Sequence, residues 1–208
     1  MNIKQYVTIS EGNSKLGEIS NISLPPIETC IENPPCAKDC YPKVYMKRWP
    51  KIKEIYEKNL RTYKNDPELY FKCIRTYIEK EKPKYFRWHV AGDIPDLYYL
   101  NQMHILAITN IDTKFMVFTK KYKYVENDIS QWVSRALNSP LRIILSAWPG
   151  LELPVLTDER GRNQRYPIAF LEDDERRHNY LKCEGKCDAC GKCWELKDLR
   201  KNVCLKRL

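Results

Sequence analysis

Three short segments set the folding problem: YFRWHVAGD (85–93), KFMVFTK (114–120) and LRIILSA (141–147). Each is rich in aromatic and β-branched residues, which suit a pleated backbone. Between them lie stretches of helical character, Asp96 to Ile108 and Asn127 to Leu137. Strands that alternate with helices are joined by crossovers rather than tight hairpins, so the pattern predicts a parallel sheet. The unbroken apolar run from Ile143 to Leu145 marks a strand buried on both faces. We expect an α/β fold, either a parallel sheet or a partial parallel α/β barrel with right-handed crossovers.

The flanking sequence extends this plan. EISNISL (18–24) predicts a first strand, after which Pro25, Pro26, Pro34 and Pro35 force an irregular loop. One helix is expected from about Lys43 to Tyr63. A second is expected over Pro67 to Glu81, where Leu69, Cys73, Tyr77 and Ile74, Ile78 recur at helical spacing. ELPVL (152–156) and YPIAF (166–170) are shorter strand candidates. The chain is expected to divide into an α/β core over 1–172 and a charged, cysteine-rich appendage over 173–208.

With 208 residues, 43% hydrophobic and 30% charged, the composition is that of a chain that folds around one substantial core. The net charge of +9 favours anionic partners, nucleic acid among them. The N-terminal stretch MNIKQYVTISEGNSKLGEIS lacks the apolar run of a secretory signal, and no segment is apolar enough to span a bilayer. The expected location is the cytoplasm, without a membrane partner. Structural disulfides are rare there, so nine cysteines, an odd number, call for metal binding or redox chemistry.

The densest group is CEGKCDACGKC (183–193), which places Cys183, Cys187, Cys190 and Cys193 at spacing C-x3-C-x2-C-x2-C. Thiolates this close repel one another unless a cation neutralises them. The density approaches that of ferredoxin-type runs, whereas zinc ribbons separate two pairs by a longer loop that is missing here. Gly185 and Gly191 suit a backbone wrapped tightly around a metal. An iron–sulfur cluster is the first reading and zinc the alternative. Cys73 and Cys204 stand alone and read as small buried apolar side chains.

Cys30, Cys36 and Cys40 form C-x5-C-x3-C in the proline-rich loop. Three ligands are one too few for a closed structural zinc site. A four-iron cluster held by three thiolates leaves one iron open to an exogenous ligand, such as the amino and carboxylate groups of S-adenosylmethionine.

GNSKLG (12–17), SLPPIETC (23–30), CAKDCY (36–41), FRWHVAGDI (86–94), VFTKKY (117–122) and the closing CGKCW together resemble the phage gene-product-88-like family. The resemblance implies a phage or prophage protein, hence the host cytoplasm, and supplies no activity. The broader plan resembles the radical S-adenosylmethionine superfamily, in which a cysteine loop follows the first strand and a Gly-Gly-Glu-like element ends the second. That resemblance implies a catalytic [4Fe-4S] cluster on Cys30, Cys36 and Cys40 and an auxiliary one on the C-terminal four. It also implies a flavodoxin- or ferredoxin-like electron donor, with Ala91-Gly92-Asp93 in the place of the second element and Asp93 accepting from the cofactor's amino group. The superfamily's spacing is C-x3-C-x2-C with an aromatic residue before the last cysteine, whereas here Tyr41 follows it.

Alternation along 86–91 places Phe86, Trp88 and Val90 on one face and Arg87, His89 and Ala91 on the other, so His89 is a candidate contact for cofactor or substrate. Thr119 with Lys120 and Lys121, and Ser146 with Trp148, fall at the ends of the next two strands, where parallel folds gather their sites. Tyr41, His89, Gly92, Asp93, Thr119 and Ser146 form the candidate cofactor-binding set. Arg160, Arg162 and Arg165 are candidate phosphate contacts beside the reading of a solvated loop. Tyrosines among lysines, as in KKYKY (120–124), suit stacking on single-stranded nucleic acid, and core packing explains them equally well. The expected function is a radical S-adenosylmethionine-type enzyme acting on an unknown, anionic or nucleic-acid substrate. The alternative is a non-catalytic iron–sulfur or zinc protein that binds nucleic acid.

Overall fold

The computed structural model describes residues 2–127, 140–155, 166–196 and 201–206. Five strands pair in parallel in chain order: β1 (Ser20–Ile22), β2 (Tyr85–Trp88), β3 (Lys114–Thr119), β4 (Leu141–Ser146) and β5 (Ile168–Leu171). Two more, β6 (Tyr180–Lys182) and β7 (Asn202–Leu205), complete an open seven-stranded sheet of order β1-β2-β3-β4-β5-β7-β6. The α/β class is as expected. The segment beyond residue 172 continues the same sheet, with Val203 of β7 opposite Ala169 of β5. Val203 and Cys204 are apolar and buried, and the free edge of β5 is where their backbone groups find partners.

Four helices, α1 (Tyr41–Arg48), α2 (Pro50–Asn65), α3 (Pro67–Glu81) and α4 (Leu97–Thr109), precede and follow β2. The single helix expected over 43–63 is divided between α1 and α2. Pro50 disfavours helical geometry in the residue before it, and Trp49 sits at φ −129°, ψ 88°. Asp66 caps α3 by accepting from the Leu69 N–H at 2.9 Å, an interaction worth about 1 kcal/mol. Asp96 caps α4 the same way, accepting from the Tyr99 N–H at 2.8 Å and from the Tyr63 hydroxyl at 2.7 Å. No strand forms over 152–155: Pro154 has no N–H to offer a ladder, Leu151 and Leu153 turn into the core, and Val155 is exposed. Residues 122–127 are helical, and the rest of the helix expected over 127–137 lies outside the described residues, as do Arg160, Arg162 and Arg165.

The sheet's two faces are covered differently. Phe86, Trp88, Phe115, Val117, Ile143 and Leu145 point into the larger core, beneath Tyr63, Tyr70, Ile74, Leu100 and Met103 of the helices. Cys73 is fully buried there, a packing residue as expected. Met116, Ile144, Ala169 and Val203 point the other way and meet Leu16, Ile19, Trp194 and Leu196. The C-terminal cysteine segment therefore covers part of the face that the helices leave open. Among the described residues, no helix is long and apolar enough to cross a membrane.

Candidate cofactor and substrate site

In open parallel sheets the carboxyl ends of the strands form a crevice, because the loops leaving them rise on one side. Here that crevice is a cavity of about 320 Å³. The loop after β1 brings Cys30, Cys36 and Cys40 to it, and the turn after β2 brings His89, Gly92 and Asp93. Thr119 and Lys120 arrive from the end of β3, and Ser146 and Trp148 from β4, with Tyr41 opening α1 beside them. All six residues expected to bind a cofactor thus line one cavity with the three N-terminal cysteines. Pro154 and its neighbours add nothing to it.

The cysteine loop is tied to the end of β2. Thr29 donates its hydroxyl to the Pro25 carbonyl at 2.8 Å and accepts the Asp93 N–H at 3.0 Å. Gly92 passes between, at φ +79°, with the Leu24 carbonyl oxygen only 2.6 Å from where a Cβ would stand. Ile27 holds φ 72°, a genuine outlier for a β-branched residue. Its N–H donates to the Cys30 sulfur at 3.3 Å, so the strain, about 1–3 kcal/mol, sits where the loop presents its first thiol. Burial pushes the Cys30 thiol up to about 11, opposed by that N–H. Cys40 is raised as well, again by burial first, and Cys36 adds to the rise of both.

Asp93 is buried, and its carboxylate gathers the turn. Oδ1 accepts the Thr119 hydroxyl at 2.6 Å and the Ile94 N–H at 2.8 Å, and Oδ2 accepts the Lys120 N–H at 2.8 Å. Burial raises its pKa, while Thr119 and the two N–H groups hold it down. A carboxylate has about four acceptor positions, so one remains, on Oδ2. The Lys120 ammonium reaches the Ser146 hydroxyl at 3.1 Å and lies 5.5 Å from the Trp148 ring.

His89 departs from the alternation expected of it. β2 ends at Trp88, and His89 adopts φ 56°, which exchanges the two faces. Its ring packs at 5.3 Å from Tyr99, a residue of the larger core, while Val90 packs against the second cluster. The side chain is 3% exposed, and neither ring nitrogen has a hydrogen-bond partner. Buried polar groups are normally paired, and here the Arg87 Nε and Trp88 Nε1 just before it in β2 also lack a partner. Burial, then the Arg87 charge, lowers its pKa to about 3.

The C-terminal cysteines form a second group. Cys183 follows β6, Cys187 and Cys190 bound a one-turn helix, and Cys193 lies in the next turn, all four around a hollow of about 30 Å³. Gly191 links the turns at φ 59°, and a Cβ there would meet the Tyr85 hydroxyl at 2.6 Å. The Cys187 and Asp188 N–H groups donate to the carbonyls of Lys15 and Leu16, and Trp194 donates its indole N–H to the Phe86 carbonyl at 3.1 Å. Burial pushes Cys193 up to about 12 and raises Cys187, and the nearby Arg87 lowers both. Among the described residues, no group of three or more His, Cys, Asp or Glu side chains is gathered at the distance needed to hold one metal ion. An iron–sulfur cluster takes its thiolates on different irons, so its ligands surround it rather than meet at a point.

A family profile described as Gene product 88 matches residues 3–147. The chain belongs to the gene product 88 family. No curated protein and no solved structure matches it. The stretch matched by the gene product 88 profile holds the cysteine loop and every cavity residue through Ser146, and it stops before Cys183.

In this gene product 88 protein Arg87, on the polar face of the strand, lines the cavity, lies 4.7 Å from the Phe118 ring and acts electrostatically on Cys187 and Cys193. Cys204, by contrast, is buried on β7 as expected.

The His89 environment sets an expected acid response. Its folded pKa is depressed below the ordinary value near 6.5, so the unfolded chain binds the extra proton between about pH 6.5 and pH 3. The stability this group contributes is present above pH 6.5 and falls by about 1.4 kcal/mol per pH unit as pH drops through that window. Urea titrations from pH 7 to pH 4 should show one fewer proton taken up on unfolding in His89→Gln than in the parent. Identical slopes for the two would refute the assignment.

Proposed function

We propose that this gene product 88 protein is an iron–sulfur enzyme of the radical S-adenosylmethionine type. Its open parallel sheet would carry a catalytic cluster on Cys30, Cys36 and Cys40 and an auxiliary one on Cys183, Cys187, Cys190 and Cys193. The observation that carries the reading is the convergence of three thiols with the polar ends of β2, β3 and β4 on one cavity at the carboxyl edge of a parallel sheet. The donor set suits the group, since sulfur ligands favour iron–sulfur clusters, and the Ile27 N–H on the Cys30 sulfur is the kind of contact that tunes them. When bound, an open cluster with S-adenosylmethionine supplies hydrogen-abstracting radical chemistry.

The chain's own residues have separable tasks in this reading. The Thr29 and Gly92 contacts hold the cysteine loop against the second strand. Asp93 orders the turn and keeps one acceptor position toward the cavity, suited to an ammonium group. His89, neutral at physiological pH, offers an N–H and a ring nitrogen to a ligand without adding charge. Lys120 and Arg87 counter the negative charge of thiolates or of a carboxylate. Tyr41 donates to the Val90 carbonyl at 2.6 Å and so fixes the wall between α1 and β2.

Anaerobic purification with iron, zinc and sulfide analysis tests the reading, followed by electron paramagnetic resonance of the reduced protein with and without S-adenosylmethionine. About eight irons per chain are expected, with a spectrum that the cofactor perturbs. The triple variant Cys30→Ala/Cys36→Ala/Cys40→Ala should keep about four irons and lose the cofactor response. Stoichiometric zinc without sulfide would overturn the proposal.

A further inference from the structure

A second, larger cleft of about 700 Å³ opens beside the cysteine cavity. One wall is α1 with its exit, where Tyr41, Tyr45 and Trp49 recur every fourth residue and so stack along one side of the helix. Tyr45 and Trp49 lie nearly parallel, 5.3 Å apart with an 18° interplanar angle, and the Arg48 guanidinium is 4.8 Å from the Trp49 ring. Both rings are well exposed, at 47% and 43%. The opposite wall is the loop from Ser10 to Leu16, held in place where Lys15 and Leu16 accept from the C-terminal cysteine turn. Among the described residues, the lining contributes the cations Lys15, Lys51 and Arg87 and no carboxylate.

A stacked aromatic pair left in solvent and flanked by cations offers flat apolar faces beside positive charge, which suits a flat, anionic partner. Bases present such faces, and phosphates supply the charge. In a duplex those faces are occupied by neighbouring base pairs, whereas in a single strand they are free. From Tyr41 to Trp49 the helix advances about 12 Å, more than one nucleotide covers. The cleft also shares Lys15, Tyr41, Pro42, Arg87, Val90 and Ala91 with the cysteine cavity, so the two are contiguous.

We infer that this cleft binds single-stranded nucleic acid, with bases stacked on Tyr45 and Trp49 and phosphates against Lys51, Lys15 and Arg87. Its inner end delivers one nucleotide to the cysteine cavity. The binding stands on the cleft alone; the further statement that the strand is the substrate rests on the proposed function.

The test is fluorescence anisotropy of the full chain with labelled twelve-residue oligo(dT), oligo(dU) and oligo(U), the corresponding duplex, and thymidine monophosphate as competitor. Binding of at least one single strand is expected, with the log–log salt slope near −2 that about three phosphate contacts give. Comparison of oligo(U) with oligo(dU), which differ only at the 2′ position, identifies the sugar. Tyr45→Ala/Trp49→Ala should weaken binding about ten- to hundred-fold, and Lys51→Glu should weaken it and flatten the salt slope. Both substituted rings are exposed, so an unchanged circular dichroism spectrum is expected of the variant. Binding is read on the parent protein without reductant or S-adenosylmethionine, which separates failure of the cleft from failure of the radical chemistry. Equal affinity for the duplex, equal competition by the mononucleotide, or an unaltered Tyr45→Ala/Trp49→Ala variant would overturn the inference.

Discussion

Gly92→Ala should destabilise the fold by about 2–5 kcal/mol, from left-handed backbone strain of about 1–2 kcal/mol plus overpacking of about 1–3 kcal/mol. The new Cβ would stand 2.6 Å from the Leu24 carbonyl oxygen and 2.7 Å from the Thr29 hydroxyl, at a φ of +79° that L side chains rarely adopt. Leu24 O belongs to the backbone leaving β1 and cannot swing aside. Thr29 is the residue that ties the cysteine loop to Asp93. Relief of the clash therefore moves Cys30 away from the cavity, and metal loading should fall more than the loss of stability alone explains. Urea unfolding gives the first quantity, and iron content of the folded fraction gives the second. An unchanged unfolding midpoint with full iron would show that the turn does not position the loop.

Trp194→Ala should cost about 3–5 kcal/mol, the range for deleting a buried aromatic side chain. Trp194 is buried in the second cluster, packs 5.1 Å from the Tyr85 ring and satisfies the Phe86 carbonyl. It is the pin that holds the C-terminal cysteine segment against the sheet. Removing it leaves a cavity and strips the carbonyl of its donor, so residues 182–196 should become sensitive to protease before the rest of the chain. Trp194→Phe keeps most of the apolar contact and gives up one hydrogen bond, worth about 1 kcal/mol. If Trp194→Ala unfolds at the parent's denaturant concentration, the segment is not anchored by this residue.

The strand and helix plan was legible because local signals agreed with the tertiary demand. α3 begins at Pro67 and ends at Glu81, as the spacing of Cys73, Ile74 and Ile78 and the Asp66-Pro67 start imply. The break between α1 and α2 was also written in the sequence, at Trp49-Pro50, and was missed because apolar spacing continues across it. The stretch over 152–155 misled because Leu151 and Leu153 alternate as a strand would while burying themselves against helices instead.

The candidate site divides in the same way. Cysteine spacing, the strand-ending Gly92-Asp93 and the polar residues after β3 and β4 were visible because parallel topology sends strand ends to one edge, whatever the details of the loops. Sequence alone therefore determined the α/β class and the two cysteine groups, and it named part of the cavity wall. Only the tertiary structure decided three other features. It set the orientation of His89, because a single left-handed residue reverses alternation at no visible cost in composition. It placed the C-terminal segment within the sheet, because strand pairing across more than thirty intervening residues depends on which edge is free. It also formed the aromatic and cationic cleft, because Lys15, Tyr45, Trp49 and Arg87 are separated along the chain and meet only when the loop before β1 folds back over α1 and β2.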